Sequence, residues 1–144
     1  MELGQAKTPD GMRIYAIGDV HGMDAALAAK HEAIAADLAA RPVARRVIVH
    51  IGDYADRGPD SAAVIERLAS LSAADRDVIC LRGNHDQKLL DFLHDPEEAA
   101  PALFAFGGKA TLRSYGVNLR SENYVSLGRQ LAEKMPASHR AFLE

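Results

Sequence analysis

Three short apolar runs, each broken by a glycine and a metal-competent side chain, constrain this sequence more than any other feature. Arg13-Ile14-Tyr15-Ala16-Ile17 runs into Gly18-Asp19-Val20-His21-Gly22. Arg46-Val47-Ile48-Val49-His50-Ile51 runs into Gly52-Asp53-Tyr54-Ala55-Asp56-Arg57-Gly58. Asp77-Val78-Ile79-Cys80-Leu81 runs into Arg82-Gly83-Asn84-His85-Asp86. Apolar, largely β-branched runs of this length read as strands. Between them the spacing changes. Leu27, His31, Ile34 and Leu38 mark one face of a helix over Met23–Ala40, stopped by Arg41-Pro42. Val64, Ile65, Leu68 and Leu71 mark a second over Asp60–Ser72, with Pro59 at its entrance. A third is expected around Gln87–Leu93, closed by Asp95-Pro96.

Strand alternating with helix predicts an α/β fold with a parallel sheet and right-handed crossovers. The rest of the chain differs: Pro101–Phe106, Gly108–Tyr115, Asn123–Met135 and Ala137–Glu144 read as short helices, with breaks at Gly107-Gly108 and Gly116. Met1–Gly11 reads as a flexible tail, leaving 12–144 as one folded unit.

Composition narrows the class of molecule. The chain has 144 residues, enough for one domain with a core. Alanine supplies 26 residues, while Ile, Leu, Val and Phe together supply 34, so many alanines belong on exposed helix faces. No uncharged apolar run approaches the ~20 residues a membrane helix needs. The polar Met1–Asp10 segment does not read as a secretory signal, so a cytoplasmic protein is expected. A single cysteine, Cys80, rules out an internal disulfide and a cysteine-rich zinc module. A net charge of -3 argues against a nucleic-acid partner, which would want a basic stripe.

Parallel strands share one carboxyl edge, and ligand sites of open α/β sheets lie off that edge. The three loops should therefore converge. Carboxylate, imidazole and amide oxygen together suit manganese, iron or zinc. An Asp-x-His pair can present two ligands to one ion, and Asp53 from the neighbouring strand can bridge two. Two ions roughly 3.5–4 Å apart form the clamp used for phosphate-ester hydrolysis. Arg57 can bind phosphate bidentately and offset transition-state charge. His85, if not spent on metal, can protonate the leaving alkoxide, with Asp56 holding its tautomer.

Gly-Asp-Val-His-Gly at 18–22, Gly-Asp-Tyr-Ala-Asp-Arg-Gly at 52–58 and Arg-Gly-Asn-His-Asp at 82–86 resemble the three signature motifs of the calcineurin-like metallophosphoesterases. Within that group they look most like the phosphoprotein phosphatase branch, in its bacterial and phage-type members. The stretch Gly-Gly-Lys-Ala-Thr-Leu-Arg-Ser-Tyr-Gly at 107–116 looks similar to the same group. The resemblance implies that Asp19 and His21 bind a first metal, Asp53 bridges, and Asn84 binds the second and touches phosphate. It implies His85 as general acid paired with Asp56, Arg57 on the substrate phosphate, and Arg82 nearby. Two divalent metals are implied, manganese first, iron or zinc as alternatives. The resulting expectation is a phosphoserine/phosphothreonine phosphatase acting through a metal-activated water on a phosphoprotein or small phosphoester. A dinucleoside polyphosphate hydrolase is the alternative, since Asn84-His85-Asp86 followed by Leu89-Leu90 also resembles that relative.

The family completes its second metal site with two histidines from later strands and also uses a later arginine, and no further histidine of this sequence stands in a matching context. The sequence thus carries the first metal site nearly whole and the second in part. A catalytic domain truncated after its first half, inactive or partner-binding, is a further reading, and self-association through the truncated edge is expected with it. The remaining histidines read as structural: His31 and His50 packed, His94 at a helix end, His139 facing solvent. Cys80, between Ile79 and Leu81, reads as a buried, inert thiol.

Overall fold

The computed structural model describes residues 7–120 and 123–144. The first six residues of the expected tail lie outside the described residues; residues 7–11 are exposed and turn into the first strand at Asp10-Gly11. The elements are β1 (Met12–Ile17), α1 (Asp24–Ala40), β2 (Arg45–His50), α2 (Ser61–Ala74), β3 (Val78–Cys80), α3 (Asn84–His94), α4 (Pro96–Ala105), α5 (Gly108–Ser114), α6 (Tyr124–Lys134) and α7 (Ala137–Leu143). The three strands form one parallel sheet in the order β1-β2-β3. Ile17, His50 and Cys80 stand level across it, so the three following loops leave one edge at one height.

Both crossover helices contact the same face of the sheet. Tyr15 Oη donates to Asp37 Oδ2 of α1 at 2.6 Å, and His50 meets His31 of α1 with their Nε2 atoms 3.3 Å apart. Arg46 pairs with Asp75, where α2 ends. On the helical side the core is built from Val64, Ile65 and Leu68 of α2, Leu89 and Phe92 of α3, and Leu103, Leu112 and Leu131 of the later helices, all fully buried. Fourteen-residue α2 lies at its centre, against α1, α5, α7 and β3. The expected stripe of α1 is present: Leu27 is buried, and His31, Ile34 and Leu38 are half-buried.

Element boundaries differ from the sequence reading in instructive ways. Ile51 and Leu81 lie just past the strands, though their amides still donate to Ile17 O and His50 O. Helix α3 starts three residues earlier than expected, because Gly83 takes the N-cap position and the Asp86 carboxylate accepts its amide at 2.9 Å. The pair Asp95-Pro96 both stops α3 and starts α4: Pro96 fills the first helical position and Asp95 Oδ1 accepts the Glu98 amide at 3.2 Å.

Candidate active site

The first and second loops are knitted by backbone. Asp53 O accepts the amides of Val20 and His21, Tyr54 O accepts that of Gly22, and His21 O accepts that of Gly58. A Cβ on Gly58 would lie 2.1 Å from His21 O, and one on Gly83 would lie 2.2 Å from Asp53 N. Only glycine allows these approaches, and Gly52, at a φ of 98° and where a Cβ would lie 2.4 Å from Gly83 N, needs it as well, whereas a Cβ on Gly18 would meet nothing within 4 Å. Among the described residues, the non-glycine residues with positive φ are His21, Asp53, Asp56 and Arg57, at 43°, 56°, 73° and 66°. Left-handed backbone at such residues costs on the order of 1–3 kcal/mol each and persists where the surroundings over-determine it. All four belong to the expected site.

The third loop fastens the second through Asp86. Its fully buried carboxylate accepts four amides, those of Tyr54, Ala55, Asp53 and Gly83, at 2.9, 3.2, 2.9 and 2.9 Å. Burial raises the pKa of this carboxyl, and the four amide bonds oppose that rise. Tyr54 is packed beneath the site: it is buried, and its hydroxyl donates to Leu81 O at 2.6 Å.

His21, Asp53 and His85 converge, each offering one ligand atom within 4.8 Å of the others. His21 Nδ1 donates to Ala55 O at 2.8 Å, which leaves Nε2 with a bare lone pair. That nitrogen is buried without a hydrogen-bond partner. Asp19 Oδ2 lies 3.6 Å from it. A carboxylate facing a lone pair is a pair of acceptors, and a cation satisfies both. This donor set fits a divalent metal, with Asp19, His21 and Asp53 available to hold it. Asp53 Oδ1 is also oriented by the His85 amide, 3.0 Å away at the start of α3. Asn84 is exposed at the first position of α3.

His85 is buried, and its Nδ1 lies 2.8 Å from Oδ2 of the fully buried Asp56. Its Nε2 accepts a hydrogen bond from Arg57 Nη2 at 3.3 Å. The His21 and His85 rings meet edge to face at 4.7 Å between centroids. Phe106, half exposed, stands 5.8 Å from the His85 ring, with Lys88 Nζ 4.9 Å above its own ring. Arg82 is turned to Gln87 Oε1, at 3.0 Å, and to the backbone oxygen of Glu144. Its hydrogen bonds thus lie away from the His21–Asp53–His85 cluster.

Other residues fall partly as expected. Cys80 is half-buried where a buried thiol was expected, and that burial pushes its pKa up to about 11, which leaves it protonated and inert at neutral pH. His94 is exposed at the last position of α3. His139 is a correction: it is buried, its Nδ1 2.9 Å from Tyr115 Oη and its Nε2 2.7 Å from Glu66 Oε2, because α7 folds back on α2. Sequence reasoning missed Asp86 as the anchor of the second loop, and Thr111, whose hydroxyl contacts Asp56. Only the 107–116 stretch, quoted for its likeness, signalled the latter. No described helix is long and apolar enough to cross a membrane.

Residues 12–137 match the family described as calcineurin-like phosphoesterase. Over 79 residues the chain is 38% identical to a symmetrical bis(5'-nucleosyl)-tetraphosphatase of Acidovorax sp. strain JS42, which covers 55% of this chain and 25% of that protein. Over 83 residues it is 37% identical to a protein of the same name from Paracidovorax citrulli strain AAC00-1, covering 58% of the chain and 27% of the relative. The matches thus span about a quarter of these relatives' length. They overturn the expectation of a serine/threonine protein phosphatase. That expectation rested on the likeness of the three motifs, with the Asp56–His85 pair, whose residue types suit the phosphoryl group and the leaving oxygen of any phosphoester. Nothing in it reads a peptide.

Proposed function

The chain belongs to the calcineurin-like phosphoesterase family, and from that premise we propose that its site hydrolyses the polyphosphate bridge of dinucleoside polyphosphates. The observation that carries this reading is the meeting of His21, Asp53 and His85 at the sheet edge of a chain related to symmetrical tetraphosphatases. Divalent metal bound by Asp19, His21 and Asp53, with Asn84 serving a second ion, supplies a nucleophile available at neutral pH and a clamp on phosphate oxygens. We take manganese as the first candidate, with iron or zinc after it.

The chain's own residues supply the rest. Arg57 reaches into the site beside His85 Nε2 and is suited to hold two oxygens of one phosphate. Asp56 holds the Nδ1 proton of His85, which leaves Nε2 facing Arg57; with Arg57 turned to the phosphate and Nε2 protonated, Nε2 is the atom that gives a proton to the departing oxygen. Phe106 and Lys88 offer an aromatic face and a cation at the rim, a combination suited to a nucleobase and the phosphates near it.

Diadenosine tetraphosphate and a phosphoserine peptide, offered side by side to the manganese-loaded protein, test the reading. The expected products are two molecules of nucleoside diphosphate, with the peptide left largely intact and with Asp53→Asn inactive. Faster release of phosphate from the peptide would reject it.

A further inference from the structure

Thr111 lies on α5, outside the three loops, yet its hydroxyl contacts Asp56 of the acid pair twice. Its hydroxyl donates to Asp56 Oδ1 at 2.8 Å, accepts the Asp56 amide at 2.8 Å, and meets Ser61 Oγ at 3.1 Å. A hydroxyl has one proton and two lone pairs. The Thr111 proton goes to Asp56 Oδ1. The Asp56 amide takes one lone pair, and Ser61 donates to the other. Thr111, Asp56 and Ser61 are all fully buried, and every valence of the Thr111 hydroxyl is used.

One hydroxyl therefore holds Asp56 twice, at its backbone and at its side chain. The backbone hold matters because Asp56 sits at a φ of 73°. The side-chain hold matters because the other carboxylate oxygen, Oδ2, takes His85 Nδ1. Rotation of the carboxylate would swing the imidazole with it.

We propose that Thr111 is the positioning residue of the acid pair, setting the Asp56 carboxylate and, through it, the ring orientation and tautomer of His85. This rests on the reading that His85 acts as the acid. In that step the oxygen of the attacking water bonds to phosphorus as the phosphorus–oxygen bond to the leaving group breaks, the departing oxygen keeps the electron pair and takes the Nε2 proton of the imidazolium, and His85 is left neutral, its remaining proton on Nδ1 and donated in a hydrogen bond to Asp56 Oδ2.

The test uses the whole chain with Thr111→Val, Thr111→Ser and Ser61→Ala, each checked for folding by circular dichroism. One readout needs no turnover. The Nδ1 proton of His85 is followed by proton NMR and assigned through its loss in His85→Gln. Thr111→Val should shift or abolish this resonance, Thr111→Ser should keep it, and Ser61→Ala should move it less. The second readout compares manganese-supported hydrolysis of a nitrophenyl phosphate, whose leaving group departs unprotonated, with that of an alkyl phosphate, whose leaving group needs a proton. Thr111→Val should lower kcat for the alkyl ester by about tenfold or more, change the aryl ester by less than about twofold, and be rescued by Thr111→Ser. An unmoved resonance in Thr111→Val, or equal losses on both esters, would overturn the proposal. If Thr111→Val does not fold, Ser61→Ala decides: an unmoved resonance in it counts against the relay. Failure of the acid reading itself looks different: His85→Gln would then be indifferent to the leaving group while the resonance still answered to Thr111→Val.

Discussion

His21 donates from Nδ1 to the carbonyl oxygen of Ala55 at 2.8 Å, and that one bond decides what its other nitrogen can do. With the proton fixed on Nδ1, Nε2 is a buried lone pair with no hydrogen-bond partner, 3.6 Å from a carboxylate oxygen of Asp19. Such an arrangement favours a cation strongly. His21→Ala should weaken manganese or zinc binding by at least about a hundredfold in a calorimetric titration, since changes even to groups supporting a ligand cost 10–100-fold. The fold should survive, as His21 is only half-buried. Unchanged affinity would show that the ion binds elsewhere.

Asp86 carries a different kind of load. Its two oxygens serve four amides, three of them in the second loop: that of strained Asp53 itself and those of Tyr54 and Ala55, between Asp53 and the strained Asp56. Asp86→Asn exchanges one acceptor oxygen for an NH2 group that faces amide donors. About two amides are then left unpaired in a buried site, each costing about 1–3 kcal/mol. A loss of about 2–4 kcal/mol is expected in urea unfolding, together with weaker metal binding as the second loop loosens. A midpoint within error of the wild type would contradict the anchoring role.

Much of the site was legible from sequence because its determinants are local. A glycine and a ligand type follow each of three strands, and the parallel sheet does the rest by placing strand ends level. What escaped depends on contacts between distant elements. Thr111 lies 55 residues from Asp56, and His139 lies 73 from Glu66, so no local pattern marks either pairing. His139 stands near the start of a short helix, where a solvated imidazole is the ordinary outcome, but α7 docks on α2 and buries it. The choice between a nucleotide and a peptide was not legible for a chemical reason: the three motifs carry residue types suited to any phosphoester.

His50 makes the fold sensitive to mild acid. Burial, with His31 adding to it, pushes its pKa from 6.5 down to about 4. Burial and the neighbouring Arg67 lower that of His31 as well. Between these values the unfolded chain takes up protons that the folded chain refuses. The stability held above pH 6.5 is therefore lost as pH falls toward 4, on the order of 3 kcal/mol from His50. Paired carboxylates act lower: the hydrogen bond from Arg67 depresses the pKa of Asp24, so its contribution is lost only below its ordinary value near 3.8. Thermal unfolding followed from pH 8 to pH 4 should show a Tm that is level above about 6.5 and falls below it. His50→Leu should flatten that fall. An equally steep fall in His50→Leu would assign the acid sensitivity to other groups.

The face of the sheet opposite α1 and α2 presents apolar side chains to solvent. Ala16, Val49 and Ile79 stand in register, with Ile14 two residues before Ala16 on the same side. Ile14 and Ile79, with Ile51 and Leu81 just past the strand ends, are between 43% and 52% exposed. Contiguous apolar surface of this kind favours association, and in a purified solution the only available cover is a second copy of the chain. Burying a side chain of this size fully contributes about 1.5–3 kcal/mol, and a symmetric contact counts each residue twice. Light scattering should therefore show a mass that rises with concentration, and Ile79→Lys should lower it at every concentration by placing a charge on both halves of the contact. A constant monomer mass at the highest concentration reached would show that this face does not self-associate.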